Sequence, residues 1–183
     1  MKAYKDFIVS PIGERYNNSK KVGDKELILN TEIFNHQFIN RLALVLETPI
    51  LFNTPINNRD QVILHHNVFR RWHDARGKER NSTNWINDDL YKVNVDQIYA
   101  YKRDKEWKAI DGYCFVKPID KELMGVVKYG KHQGKLVGFR PSSEYEFTID
   151  NEKLYRVLEH FITIEYGSEE EKSKHNRSWL QSC

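Results

Sequence analysis

Three histidines lie close together in the chain, and imidazole nitrogens are common zinc ligands and common catalytic bases. His65, His66 and His73, with Asp74, are the densest group of candidate ligands. Their spacing matches no zinc-site pattern. Asn67 invites comparison with nucleases of the His-Asn-His type, but no second ligand pair follows it. We therefore expect no metal site and no cofactor, and histidines that pack or lie at the surface.

Nucleophilic catalysis needs an activated side chain, and the sequence offers few candidates. Cys114 lies within an apolar, strand-like run, where a thiol is buried and inert. The chain has no glycine-rich phosphate loop and no Gly-x-Ser-x-Gly turn. Cys183 is the other cysteine, so there is no disulfide framework, and a reducing cytoplasm is the expected location. We do not expect an enzyme.

The most basic stretch of the chain lies between residues 70 and 87, where cations alternate with aromatic residues. Such a pattern can bind single-stranded nucleic acid. Its residues are Arg70, Arg71, Arg76, Lys78 and Arg80, with Trp72 and Trp85. Neighbouring acidic residues dilute this charge, and the whole chain, with 29 Lys and Arg against 26 Asp and Glu, carries only +3. We therefore predict a solvated insertion or an oligomer contact, with Arg70, Arg71, Arg76 and Arg80 as a basic contact patch, and do not expect nucleic acid as the partner.

An aliphatic triplet, Leu27-Ile28-Leu29, interrupts an otherwise polar segment between residues 13 and 40. Gly23-Asp24-Lys25-Glu26 precedes the triplet, and Asn30-Thr31-Glu32 follows it. A mobile polar loop that carries one apolar triplet is suited to a hydrophobic groove on a partner protein. We predict that Leu27, Ile28 and Leu29 bind a partner. The alternative is that the triplet forms another short strand.

The elements that would position these residues are strands. Apolar residues recur at every second position and turn residues recur at short intervals, which predicts an all-β protein. Aromatic residues make up 13 % of the 183 residues, too many for a disordered chain. No apolar run reaches the 18 residues of a membrane-spanning helix, and no signal-peptide core opens the chain. We expect no membrane association.

Four segments of the first half recur in the second half in the same order, which predicts two copies of one small β-barrel. The matched pairs are Phe7–Ile12 with Cys114–Ile119, Arg59–Ile63 with Gln133–Val137, Asp89–Val93 with Lys153–Val157, and Gln97–Tyr101 with Phe161–Ile164. We predict a first barrel over 1–105, containing the 70–87 insertion, and a truncated second barrel over 106–167. Residues 168–183 form a polar tail.

The order of features over residues 5 to 103 resembles the GroES co-chaperonin family, and the second copy resembles it more loosely. The resemblance is carried by Phe7 to Pro11, the Leu27-Ile28-Leu29 triplet, Asn40 to Val45, Asn58 to Ile63, Tyr91-Lys92-Val93 and Asp96 to Ala100. Where the family usually has Gly-Gly before the triplet, this chain has Lys25-Glu26. The short connection from Glu47 to Asn58 is similar to that of roofless co-chaperonins encoded by bacteriophages.

The resemblance implies a fold of GroES-like barrels and a ring of identical subunits, typically seven. Such a ring caps a GroEL-like, ATP-driven chaperonin and assists protein folding, and the family's aliphatic contact maps onto Leu27, Ile28 and Leu29. It implies a cytoplasmic protein, in the host if the chain is phage-encoded. The leading alternative is a phage structural or assembly protein that reuses the barrel as an oligomer building block. Nucleic-acid binding is the third interpretation.

Overall fold

A computed structural model describes residues 2–16, 19–28, 38–121 and 123–166. The prediction of an all-β protein is confirmed, since the described chain forms antiparallel sheets with two single-turn 3₁₀ helices, Val95–Gln97 and Glu159–Phe161. The chain divides into two compact units, Met1–Glu106 and Trp107–Cys183. The predicted polar tail lies outside the described residues.

The first unit is built on one main sheet. Its strands are β1 (Phe7–Pro11), β2 (Ser19–Val22), β3 (Lys25–Ile28), β4 (Leu42–Glu47), β5 (Gln61–Leu64), β6 (Arg71–His73), β7 (Glu79–Asn81), β8 (Trp85–Asn87), β9 (Leu90–Val93) and β10 (Ile98–Arg103). Six of these strands follow one another in the main sheet in the order β10-β5-β4-β1-β9-β8, and the hairpins β2–β3 and β6–β7 form separate two-stranded sheets.

The second unit begins at Trp107, within β11 (Glu106–Ala109). Its strands are β12 (Tyr113–Pro118), β13 (Met124–Tyr129), β14 (Leu136–Phe139), β15 (Tyr145–Ile149), β16 (Glu152–Leu158) and β17 (Ile162–Glu165). They form one antiparallel sheet in the order β15-β16-β12-β13-β14-β17. The four matched segments of this half lie largely on β12, β14, β16 and β17.

Both main sheets are open. Within the described residues, the edge strand β8 of the first sheet has β9 as its only partner strand, and the edge strands β15 and β17 of the second sheet are not paired with each other. A sheet closes into a barrel only when its first and last strands share backbone hydrogen bonds. The GroES-like barrels predicted from the sequence are therefore not confirmed.

The two units share one strand order, which shows that the fold is duplicated. Read from β8 to β10 and from β15 to β17, the sheets place equivalent strands side by side. The cross-strand pairs match as well: Val9 with Val45 and Tyr91 in the first unit, and Val116 with Val127 and Tyr155 in the second. In each unit a 3₁₀ turn precedes the last strand.

One matched segment differs by a single residue from the sequence-based correspondence. Val62 pairs with Ala43, and at the equivalent place Val137 pairs with Gly125. Val62 therefore corresponds to Val137, and the predicted match with Leu136 is wrong. The reason is that β5 and β14 carry consecutive buried residues, so alternation does not mark which residue faces which side.

Candidate functional site

The described part of the aliphatic triplet lies in the β2–β3 hairpin. Ser19 pairs with Ile28 and Val22 pairs with Lys25, which leaves a two-residue turn. Gly23 opens that turn with a φ of +63°, a conformation that glycine adopts without steric cost. Leu27 and Ile28 are thus strand residues, as the alternative interpretation of the triplet had it, and Leu29 lies outside the described residues.

One face of this hairpin is exposed and partly apolar. Val22 is 58 % exposed and Leu27 is 56 % exposed. Val22 faces Lys25 across the hairpin, and Leu27 lies two positions further along the same strand, so the three side chains share a face. The exposed apolar side chains on this face are available for contact with another protein.

Asn40 and an isolated β-bridge close the base of the segment that carries the hairpin. Tyr16 forms the bridge with Ile39. The Asn40 side-chain amide, only 5 % exposed, donates to the carbonyl oxygens of Ile12 (2.8 Å) and Glu14 (2.9 Å). Its own backbone N–H donates to the Arg15 carbonyl at 2.9 Å. The chain therefore leaves and rejoins the sheet at one hydrogen-bonded point.

A cluster of two arginines and two tyrosines lies directly beside this base. We call Arg15, Tyr16, Arg71 and Tyr91 the Arg–Tyr cluster. The Arg15 guanidinium lies 5.5 Å from the Tyr91 ring centre, and the Arg71 guanidinium lies 4.8 Å from the Tyr16 ring centre, both within cation–π range. Tyr91 is fully buried, and burial raises the pKa of its hydroxyl.

The four arginines of the predicted basic patch have different surroundings. Arg71 pairs with Glu79 at 3.0 Å, and Arg80 pairs with Asp74 at 2.9 Å. Arg76 is exposed in the turn of the β6–β7 hairpin. Two of the four charges are thus paired with carboxylates of the same hairpin, which weakens their attraction for phosphate. The role of these four arginines as a contact patch stays a prediction.

The fourth arginine of the patch lines an open groove of about 460 Å³ in the first unit. The groove is bounded by Asn67, Arg70, Trp72, Ser82, Thr83, Asn84 and Gln97. Its most buried polar residue is Asn84, which donates to the Lys92 carbonyl at 2.8 Å and to Gln97 Oε1 at 2.7 Å. The hydrogen bond between the Asn84 and Gln97 side chains therefore connects the insertion to the 3₁₀ turn before β10.

Asp74 organises the turn of the β6–β7 hairpin. Its Oδ1 accepts from the backbone N–H groups of Lys78 and Arg76, each at 3.0 Å, and its Oδ2 accepts from Arg80 Nε. The hydrogen bond from the Lys78 N–H, helped by Arg80, holds the pKa of Asp74 below its ordinary value. Ionised Asp74 thus stabilises the hairpin.

The lowered pKa predicts that the hairpin loosens in acid. A carboxylate whose pKa is depressed by folding stabilises fully above its unfolded pKa, and this contribution is lost as the pH falls below about 4. We expect the indole NMR signal of Trp72 to shift in that range. In Asp74→Asn the signal should already be shifted near neutral pH and should change little in acid. An unchanged acid transition in this variant would contradict the assignment.

The structure describes the surroundings of the histidine pair and of Cys114. His65 and His66 stack with ring centres 4.3 Å apart, and His65 Nδ1 accepts from the Asn67 N–H at 3.0 Å. Cys114 is buried, and burial raises the pKa of its thiol. In the described ranges no group of three or more His, Cys, Asp or Glu is arranged to hold a metal ion.

The second unit carries a compact charged cluster at the β13–β14 turn. Lys131 pairs with Glu159 at 2.6 Å, and His132 Nδ1 lies 2.8 Å from Glu165. The hydrogen bond from Lys131 lowers the pKa of Glu159. These pairs join the turn to the last 3₁₀ turn and to β17, so we assign them a structural role.

Comparisons of the chain with family models and with curated proteins, and of its structure with solved structures, found no match. Among the described residues, no helix is both long and apolar enough to cross a membrane.

Proposed function

We propose that this protein is a co-chaperonin-like cap that binds an ATP-driven, GroEL-like chaperonin through its β2–β3 hairpin. The observation that supports the proposal is the exposed apolar face of that hairpin, which lies on the segment where the family resemblance expects the partner contact. Under this proposal the two units are derived from the GroES barrel. The ATP chemistry belongs to the partner, and the protein needs no cofactor.

The energetics of such a contact require several copies of the chain. Burial of each aliphatic side chain contributes about 1.5 to 3 kcal/mol, while ordering of loop backbone costs roughly 1 to 2 kcal/mol per residue. A single hairpin therefore binds weakly. In a ring, later contacts become intramolecular, with a gain on the order of a hundredfold or more. The proposal therefore includes a homo-oligomer, with a heptamer as the form that the resemblance implies.

The test is to replace Leu27 with aspartate, which puts a charge on the exposed apolar face. We expect ATP-dependent capture by a chaperonin ring to weaken about a hundredfold or more, because a buried unpaired carboxylate is strongly disfavoured. Native mass spectrometry should show an unchanged oligomer. Ile86→Asp is the matched control, since Ile86 is an exposed aliphatic residue on β8. Capture unaffected by Leu27→Asp would overturn the assignment of the hairpin.

A second candidate function is that of a phage structural or assembly protein. It is favoured by the pairing of Leu27 and Ile28 within an ordered hairpin, which suits a fixed contact between subunits. In that case wild-type protein would not be captured by a chaperonin. Leu27→Asp would then break the oligomer, which is the reverse of the result expected above.

A further inference from the structure

We propose that the insertion, taken as the whole β5–β8 connection of residues 65–84, anchors the partner-binding hairpin. Its β6–β7 hairpin holds the base of the segment that carries β2 and β3, and so sets how firmly that segment is presented. Arg15, Tyr16 and Arg71 are the positioning residues. The part of this inference that concerns affinity rests on the proposed function, whereas the anchoring itself does not.

The insertion reaches the base first through Arg71. The backbone N–H of Arg71 donates to the Tyr16 hydroxyl at 2.7 Å, and its guanidinium lies over the Tyr16 ring. Tyr16 is 7 % exposed, so this hydrogen bond is shielded from water. Because Tyr16 also bridges Ile39, the contact acts on both ends of the segment.

Arg15, the residue before Tyr16, makes a second set of contacts with the insertion. Arg15 Nη1 donates to Asn81 Oδ1 at 2.9 Å, and Arg15 Nη2 donates to the Phe69 carbonyl at 3.1 Å. The same guanidinium lies over the ring of Tyr91 in β9. Arg15 and Tyr16 thus connect the base of the segment to the insertion, and Arg15 also contacts the main sheet through Tyr91.

The duplicated fold provides an internal comparison. The β1–β4 and β5–β8 connections are residues 12–41 and 65–84, and the equivalent connections of the second unit are residues 119–123 and 140–144. The long segment and the insertion thus occur in the same unit, and the other unit has neither. The occurrence of both features in the same unit is expected if the insertion anchors the hairpin.

The test compares two changes from tyrosine to phenylalanine. Tyr16→Phe removes the hydroxyl that accepts from Arg71 and keeps the ring beneath the guanidinium. Tyr101→Phe is the matched control, because Tyr101 is also buried beneath an arginine, at 5.3 Å from Arg103, but lies outside the Arg–Tyr cluster. A net hydrogen bond corresponds to about a two- to tenfold change.

We expect amide hydrogen exchange over residues 19–28 to be about two- to tenfold faster in Tyr16→Phe than in wild type, and unchanged in Tyr101→Phe. The exchange of β12 to β17 should be the same in all three proteins. Affinity for a chaperonin ring should fall in Tyr16→Phe by a similar factor. Exchange over 19–28 that is unchanged in Tyr16→Phe, or equally faster in Tyr101→Phe, would overturn the proposal.

A second pair of variants tests the insertion from its own side. Arg71→Ala removes the guanidinium over Tyr16, whereas Arg80→Ala breaks a comparable ion pair of the same hairpin that does not touch the base. Exchange over 19–28 should accelerate in Arg71→Ala only, and Arg71→Lys should restore part of the protection. The exchange measurements need no chaperonin, so they test the anchoring separately from the proposed function. If the variants exchange faster but the wild-type protein does not bind a chaperonin, the proposed function is refuted and the anchoring is supported.

Discussion

Replacing Phe69 with alanine is expected to destabilise the first unit by about 3–5 kcal/mol. Phe69 lies in the insertion, yet it is fully buried, and its ring meets the Tyr91 ring edge-on with centres 4.7 Å apart. Truncation removes this burial and leaves a cavity that the surrounding sheet can only partly fill. Urea unfolding, followed by amide exchange in β1, β4 and β9, measures the loss.

The control is Trp72→Ala on the same insertion. Trp72 is 44 % exposed, so its truncation should change the unfolding free energy by less than about 1 kcal/mol. A loss at Phe69 no larger than the loss at Trp72 would show that the insertion is not part of the core. It would also remove the rigid platform that the anchoring of the hairpin requires.

Replacing Gly125 with alanine is expected to destabilise the second unit by about 3 kcal/mol. Gly125 faces Pro118 across the β12–β13 pair. A Cβ atom there would overlap the carbonyl oxygen of Lys117 and would lie 2.5 Å from Val116 Cγ1. Because one of these obstacles is backbone, the strands must separate, which weakens the central pair of the sheet.

Gly138→Ala is the matched control for this substitution. Gly138 lies in the neighbouring strand, and its nearest neighbour to an added Cβ is Tyr166 Cε2 at 3.5 Å, an ordinary contact distance. We expect a change below about 1 kcal/mol in the same urea titration. Equal losses of unfolding free energy in the two variants would mean that the strands around Gly125 accommodate an added Cβ atom without a penalty.

Much of the fold is predictable from the sequence. Alternation identifies strands such as Leu90–Val93 and Tyr145–Ile149 because it depends only on adjacent residues. The matched segments also predict the duplication, since a shared pattern survives when strand lengths differ. Register in β5 and β14 is not predictable in this way, because runs buried on both faces fit two alignments equally well.

The candidate site is predictable only in part. The exposed hairpin carries two members of the predicted triplet, Leu27 and Ile28, because an aliphatic run in a polar segment is a local signal. The base of that hairpin gives no such signal. Arg15 and Tyr16 look like ordinary polar-loop residues in the sequence, and Asn40 looks like a turn residue.

Residue order alone specifies the β class, the short strands and the repeated pattern, because each depends on side chains a few positions apart. Tertiary structure decides that the sheets stay open and that the backbone N–H of Arg71 donates to the Tyr16 hydroxyl. Tyr16 and Arg71 are 55 positions apart. The packing of the insertion against the base of the segment brings them together, and no local pattern encodes such a contact.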